Sequence, residues 1–86
     1  MADLTVSVVS ADAELWTGAA RQVIAKTVEG EIGILAGHEP MLAILASGEV
    51  RISAVAGGQI IANAEDGFLS VDNNTVTIVA GQASLA

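Results

Sequence analysis

The chain has 86 residues, a hydrophobic fraction of 52% and a net charge of −7. At this length we expect one domain, residues 1–86, and the apolar content excludes a disordered protein, while the lack of a long apolar run predicts no membrane-spanning helix. The negative charge disfavours direct binding to nucleic acid or anionic lipid, and without Cys the chain has neither a disulfide nor a thiolate metal ligand.

Period-two alternation of apolar residues predicts strands at three places, residues 4–9, 49–54 and 75–80. One face of each strand is apolar and the other is polar or mixed, as expected of strands that are buried on one side. Leu4, Val6 and Val8 share one face of the first strand, and the residues predicted to point inward from the other two are Val50, Ile52, Ala54, Val76, Ile78 and Ala80. We also assign Phe68, in the apolar segment 68–71, to the core.

Turn signals separate the predicted strands at short, regular intervals. Glu29-Gly30 follows the strand-like segment 21–28. Gly57-Gly58 predicts a two-residue hairpin, because both central positions of a type I′ turn need a positive φ, and Asn73-Asn74 predicts a similar turn. Asp66-Gly67 marks a further turn before Phe68. The chain is therefore expected to reverse direction many times.

One segment could form a short helix instead of a strand. In Pro40–Ala46 the apolar residues have helical spacing, and Pro suits a first helical turn, although nearby glycines leave room for little more than one or two turns. Strands dominate the rest of the chain. The sequence predicts an all-β fold, an antiparallel β-sandwich or flattened barrel of roughly eight to ten short strands, in which closure hides the strand edges.

Residues that could carry out a reaction are scarce. His38 is the single histidine, and there is no Cys or Tyr. Gly30, Gly33 and Gly37 are spaced like parts of a phosphate loop, but no Gly-Lys-Ser/Thr follows and turn geometry explains them better. We therefore expect no enzymatic activity, no catalytic residue, no metal site and no cofactor.

The segment 30–42, Gly-Glu-Ile-Gly-Ile-Leu-Ala-Gly-His-Glu-Pro-Met-Leu, closely resembles a signature of the epsilon subunits of bacterial F-type ATP synthases. The segments 8–10, 15–18, 48–52 and 66–78 support the resemblance, which covers nearly the whole chain. Two residues depart from the family pattern: Ala36 stands where the family usually has Pro, and Asp66 replaces the first Gly of a Gly-Gly pair. The C-terminal helical hairpin of the family is absent from the sequence, so restraint of ATP hydrolysis and ATP binding are not expected.

The resemblance implies a non-catalytic rotor subunit that couples the gamma subunit to the c-ring in a proton-translocating ATP synthase. Its partners would be the gamma subunit and the polar loops of the c-ring. It would reach the membrane only through the complex, as a peripheral subunit on the cytoplasmic face of the bacterial plasma membrane. The start of the chain, which lacks the pattern of a secretory signal, agrees with this location.

The same resemblance assigns two sets of contact residues. The c-ring contact would comprise Gly30, Glu31 and Gly33, with the Glu31 carboxylate opposite an arginine of the c-ring loop. The gamma contact would comprise Ser10, His38, Pro40, Met41 and Leu42. Met41 and Leu42 also suit a core position, and periodicity does not separate the two roles. Trp16, the single tryptophan, is expected to fill the core or its edge.

Two other classes of β-sandwich remain as alternatives. A lipoyl- or biotin-carrier domain presents one lysine at a hairpin tip, and Lys26 is the candidate, although it lies inside a strand-like run. A sugar-binding sandwich is the second alternative. One Trp, one Phe and no Tyr leave it few aromatic rings for stacking.

Overall fold

The structure, a computed structural model, describes residues 3–11 and 13–85. Every regular element in this part of the chain is a strand, which confirms the all-β prediction. The six strands are β1 (Leu4–Ser10), β2 (Glu14–Thr27), β3 (Gly30–Leu35), β4 (Met41–Ala54), β5 (Gln59–Asp72) and β6 (Thr75–Leu85). Since the described residues form no helix, they include none that could cross a membrane.

The strands form a flattened barrel. Their order is β1-β6-β5-β4-β2-β3, and an additional β1–β2 pairing closes all but β3 into a barrel. Neighbours are antiparallel except β1 and β6, which are parallel. Four long strands bend and contribute to both sides of the barrel, so each side has five strand segments. This explains how six strands supply the larger number of short strands that the sequence predicts.

We call the two sides layer 1 and layer 2. Layer 1 contains β1, residues 14–20 of β2, 41–44 of β4, 67–72 of β5 and 75–80 of β6. Layer 2 contains β3 and the remaining parts of the four long strands. Antiparallel neighbours that face each other across a ladder share one side of the sheet, so the pairings determine which side chains point outward together.

Inward residues of both layers form one core. The predicted inward residues of the segments 49–54 and 75–80 are buried, except that Ala54, at the end of β4, is partly exposed, and in β1 the buried face is the one with Leu4, Val6 and Val8. Further core residues that the alternation did not single out include Val23, Ile34, Leu69 and Val71. Trp16 packs against this core from its margin, as expected. Close packing of this kind makes the sandwich stiff.

The segment 41–46, which competed as a helix in the sequence, is the first half of β4. Leu45 points into the core, while Leu42 and Ile44 point outward and are 69% and 56% exposed. Both sides of the strand are therefore apolar here, which hides the period-two pattern. Pairing with β5 settles the conformation, since Leu42 lies opposite Ser70 and Ile44 lies opposite Phe68.

The predicted turn at Asn73-Asn74 is a tight hairpin between β5 and β6. Asp72 pairs with Thr75, and the two asparagines between them have φ values of 50° and 61°. The predicted two-residue turn at Gly57-Gly58 is wrong in length, because the connection between β4 and β5 has four residues, 55–58. Both glycines nevertheless have the positive φ that was expected of them.

The predicted reversal at Asp66-Gly67 is also wrong, because β5 continues through these residues and only crosses from layer 2 to layer 1. Asp66 has a φ of 55°, which Asp tolerates better than most side chains. A Cβ on Gly67 would lie 1.9 Å from the Val79 carbonyl oxygen, so the crossing requires glycine. Phe68, which was assigned to the core, is 38% exposed because the strand leaves the crossing with this side chain outward.

Candidate functional site

The outer side of layer 1 is a broad surface without charge at its centre. Cross-strand pairs place two rows there, one running Ile44, Phe68, Val79, Val9 and the other running Leu42, Ser70, Thr77, Ser7. We call these eight residues the neutral face. The nearest acidic residues lie at its margins. Glu14 lies opposite Val9 at the end of the first row, and Asp72 lies opposite Thr75 in the row beyond the second. On a chain with a net charge of −7, such a surface suits a neutral protein partner.

A shallow groove borders the neutral face where β4 passes the β2–β3 turn. The Val28 backbone N–H donates to the Ile44 carbonyl oxygen at 3.0 Å and fixes the turn against the strand. The groove is lined by Thr27, Val28, Glu29, Ile32, Met41, Leu42, Ala43 and Ile44. Val28 is 65% exposed, so this apolar side chain extends the neutral face beyond its rows.

Met41 and Leu42, two of the residues assigned to the gamma contact, occupy different positions. Leu42 points outward on the neutral face, whereas Met41 is partly buried and packs against the core. Met41 still lines the groove. Sequence periodicity left both roles open for each residue, and the strand geometry assigns Leu42 to the surface.

His38 and Pro40 lie in the loop 36–40, between β3 and β4. The His38 N–H donates to the Leu35 carbonyl oxygen at 3.1 Å, and His38 Nδ1 lies 2.8 Å from the Glu39 carbonyl oxygen. Because a carbonyl oxygen accepts only, Nδ1 is the donor in this hydrogen bond. The loop is also fastened from outside, since the Gly37 N–H donates to Asn74 Oδ1 at 2.7 Å.

Ser10 is far from this loop along β1. The Thr5 end of β1 bonds to the β5–β6 turn, which holds the loop, whereas Ser10 ends the strand opposite Ala80. Ser10 Oγ donates to the Ala13 carbonyl oxygen at 3.2 Å, so the hydroxyl has a local partner in the β1–β2 turn. Of the five residues assigned to the gamma contact, Leu42 therefore lies on the neutral face, the other four lie around it, and the five do not form one cluster.

The outer side of layer 2 carries charges of both signs. Lys26 lies opposite Glu31, and Arg51 Nη2 lies 3.4 Å from Glu49 Oε1. Glu65, farther along β5, faces Gln82. We call the outer residues Lys26, Glu31, Glu49, Arg51 and Glu65 the charged face.

The three residues assigned to the c-ring contact lie together at one end of the charged face. Gly30, Glu31 and Gly33 are exposed on β3, which has a strand neighbour on only one side. The Thr27 hydroxyl donates to the Gly30 carbonyl oxygen at 2.7 Å and accepts from the Glu29 N–H at 3.2 Å. This buried hydroxyl fixes the turn from which Glu31 projects.

Lys26, the candidate for a carrier domain, lies within β2 and not at a hairpin tip. It pairs across the strands with Glu31, and a Cβ on Gly48 would lie 3.4 Å from its side chain. In residues 3–11 and 13–85 no group of His, Asp and Glu side chains is arranged to hold a metal ion.

Sequence reasoning missed most of the neutral face, including Ile44, Phe68 and Val79. A usable signal was present in the segment Thr75–Val79, where hydroxyl and β-branched residues occupy the positions between the core residues. Outer positions of a solvated strand normally include charge, and their neutrality marks a covered or contact surface.

The fold is that of a small β-sandwich domain, and its candidate sites are outer surfaces. The family model of the delta/epsilon chain β-sandwich domain of ATP synthase matches residues 3–86, and the chain belongs to this family. The ATP synthase epsilon chain of Micrococcus luteus is 52% identical over 85 residues, and that of Rhodococcus erythropolis is 48% identical over 87 residues. These matches confirm the resemblance seen in the sequence.

Two solved structures share the fold. A chain of the Euglena gracilis mitochondrial ATP synthase, in an OSCP/F1/c-ring structure, superposes with a TM-score of 0.90 at 26% identity over 99% of this chain. A chain of the Tetrahymena thermophila enzyme superposes with a TM-score of 0.73 at 20% identity over 94% of this chain.

The relatives differ in length. The match covers 93% of the Micrococcus chain and 71% of the Rhodococcus chain. This chain spans about half of the Euglena chain, 54%, and 65% of the Tetrahymena chain.

Proposed function

We propose that this domain is a non-catalytic rotor subunit of a proton-translocating F-type ATP synthase, which couples the gamma subunit to the c-ring during ATP synthesis. It works as a single folded unit, residues 1–86, without a cofactor of its own. In a bacterium it sits on the cytoplasmic face of the plasma membrane and reaches the membrane through the complex. Family membership and the Euglena match, which comes from a structure containing F1 and the c-ring, support this proposal.

The observation that carries the proposal is the contrast between the two outer faces. A coupling element must bind two partners at once, and the domain offers two chemically different surfaces on one core. The neutral face, with Leu42 and Ile44 exposed, suits a long-lived contact dominated by apolar burial. The charged face suits a contact guided by ion pairs.

We assign the gamma subunit to the neutral face. Leu42 lies within this face, and Ser10, His38, Pro40 and Met41 lie around its edges. The exposed apolar side chains of this face, Leu42, Ile44 and Phe68, are costly to leave in water and favourable to cover with a second protein. The groove next to Val28 gives the partner a place for an apolar side chain.

We assign the polar loops of the c-ring to the end of the charged face formed by Gly30, Glu31 and Gly33. The two glycines leave the backbone of β3 open on either side of the Glu31 carboxylate, so a loop can approach closely. An arginine of that loop would pair with Glu31, which already lies opposite Lys26. Charge at this contact would guide encounter and register more than it adds affinity.

Rigidity is what makes the two contacts useful together. The core is continuous between the layers, and the long strands pass from one layer to the other without a break in the chain. Load applied at one face is then carried to the other by hydrogen-bonded strands and close-packed side chains.

The direct test is a pull-down with purified cognate gamma subunit. The proposal predicts a stable complex with the wild-type chain and loss of that complex when His38 and Met41 are both changed to Asp. Circular dichroism of the double variant must show the wild-type β spectrum. A correctly folded wild-type chain that fails to bind gamma would contradict the proposal.

A further inference from the structure

The loop that carries His38 and Pro40 has two hydrogen bonds of its own, from the His38 N–H to the Leu35 carbonyl oxygen and between His38 Nδ1 and the Glu39 carbonyl oxygen, and both are local. Gly37 has a φ of 87°, a conformation that glycine adopts freely, and Ala36 beside it has a small side chain and no ring to fix its φ. Ala36, Gly37, Glu39 and Pro40 are all exposed. Local bonds of this kind leave the position of an exposed loop relative to the neighbouring strands unrestrained, so a contact from outside the loop is needed to fix it.

The loop 36–40 is held by the β5–β6 turn, which is more than thirty residues away in sequence. The Gly37 N–H donates to Asn74 Oδ1 at 2.7 Å, across a sequence separation of 37 residues. The Asn74 carbonyl oxygen accepts from the Thr5 N–H at 2.8 Å. One residue therefore joins the start of β1, the tight turn and the loop.

The conformation of Asn74 explains why this residue can reach the loop. Its φ of 61° lies in the left-handed region, which asparagine enters more readily than most side chains. Asn73 has the same kind of backbone, with a φ of 50°, but its side chain is exposed. Either position suits the hairpin, and it is Asn74 whose amide oxygen reaches the loop.

We infer that Asn74 is a positioning residue for the partner-binding surface. Its side-chain oxygen holds the loop 36–40 and thereby keeps His38 and Pro40 at the edge of the neutral face. The inference rests on the proposed function for its partner, the gamma subunit. Asn74 acts through the loop and does not itself contact gamma. Its contribution is to remove conformational freedom before binding, which raises affinity without adding a contact.

Asn74→Gly tests the inference with little disturbance. Glycine keeps the left-handed turn and the backbone carbonyl that accepts from Thr5, and it removes the side chain together with the amide oxygen that holds Gly37. Asn73→Gly is the matched control, because it makes the same change at the neighbouring position of the same turn. In the free chain, amide hydrogen exchange at Gly37 should become about 5-fold faster or more in Asn74→Gly and stay unchanged in Asn73→Gly.

Affinity for the purified gamma subunit should fall about 2- to 10-fold in Asn74→Gly and remain at the wild-type value in Asn73→Gly. Ala36→Pro provides a rescue. Ala36 does not have a positive φ, and Leu35 before it is in a strand, which is the conformation that precedes proline. Adding Ala36→Pro to Asn74→Gly should recover most of the lost affinity by restricting the loop in another way.

Each outcome is decisive. Faster exchange at Gly37, weaker gamma binding and recovery with Ala36→Pro would support the inference. Unchanged exchange in Asn74→Gly would overturn it, and so would a loss of affinity that Ala36→Pro fails to recover, since Asn74 would then act by direct contact. If the wild-type chain does not bind gamma, the proposed function fails, while exchange at Gly37 still reports whether Asn74 holds the loop.

Discussion

The two outer faces of the sandwich are built on the same core and differ in what lies between the core residues. On layer 1 the outer positions are Ser, Thr, Val, Leu, Ile and Phe, and charge is confined to the margins. On layer 2 the outer positions of β2, β3 and β4 include Lys26, Glu31, Glu49 and Arg51. Because the inward pattern is alike in both layers, the fold alone does not explain this difference.

Core packing and the character of the outer surface therefore depend on separate positions of the same strands. β4 shows this within one element, since its first half exposes Leu42 and Ile44 and its second half exposes Glu49 and Arg51. A long strand that crosses between layers can therefore present an apolar surface to one partner and a charged surface to another.

The largest expected effect comes from placing a charge on the neutral face. Leu42→Asp should weaken binding to the gamma subunit about 100-fold, because the contact would bury an unpaired carboxylate. The folded state should tolerate the change, since Leu42 is 69% exposed. Isothermal titration calorimetry with purified gamma measures the effect.

Leu35→Asp is the matched control on the other side of the molecule. Leu35 is 57% exposed and lies next to Gln22 on the outer side of layer 2. Its replacement should leave gamma binding within about 2-fold of wild type, as expected of an exposed residue outside the contact. Equal losses in the two variants would show that the faces do not differ in the way proposed.

The stability of the protein should be sensitive to a single methyl group at Gly67, where β5 crosses from layer 2 to layer 1. In Gly67→Ala the new Cβ would stand 1.9 Å from the Val79 carbonyl oxygen, so β5 and β6 must separate. We expect a loss of about 1–3 kcal/mol in the free energy of unfolding, or more. Urea denaturation followed by circular dichroism measures it.

Gly33→Ala is the control for that change. A Cβ on Gly33 has no atom within 4 Å, so the substitution should leave the free energy of unfolding within about 0.5 kcal/mol of wild type. If Gly67→Ala proved equally harmless, the close approach of β5 and β6 at the crossing would be contradicted.

A smaller effect is expected at the c-ring contact. Glu31→Lys should reduce retention of the stalk on ring-containing membranes about 3- to 10-fold, because a favourable ion pair is replaced by repulsion. Glu49→Lys changes charge equally on the same face but at a residue already paired with Arg51. Quantitative sedimentation of membranes compares the two variants, and unchanged retention of Glu31→Lys would count against the assigned role.

The smallest effect, and the one that separates the faces by physical cause, is the response to salt. Raising the ionic strength from about 0.05 to 0.5 M should weaken the c-ring contact by about 2-fold, since exposed charges are screened. Binding to the gamma subunit through the neutral face should change little or become slightly stronger. If the gamma interaction weakened with salt as steeply as the c-ring contact, it would depend on charged residues, and the neutral face has none. That result would contradict the assignment of gamma to this face.

The fold was predictable where one side of a strand is polar. Thr75–Ala80 and Leu4–Val8 alternate cleanly because their outer residues have to meet a partner surface or water while the inner ones pack. Prediction failed at Phe68 because the crossing at Gly67 depends on how closely two distant strands approach, and local sequence carries no measure of that distance. The length of the Gly57-Gly58 turn failed for a similar reason, since strand register sets it.

The candidate site was predictable only in part. Resemblance to the family assigned Glu31 and His38, and the structure then supplied the outer residues Ile44 and Val79, which no motif marks. The bond from Gly37 to Asn74 joins positions 37 residues apart, so its existence depends on tertiary structure alone.

The most direct test of the account is hydroxyl-radical footprinting of this chain alone and in complex with the gamma subunit. If gamma covers layer 1, Leu42, Ile44 and Phe68, which are exposed in the free chain, should lose reactivity in the complex while Leu35 keeps it. Protection of Leu35 together with unchanged reactivity at the three neutral-face residues would contradict the claim that gamma covers layer 1.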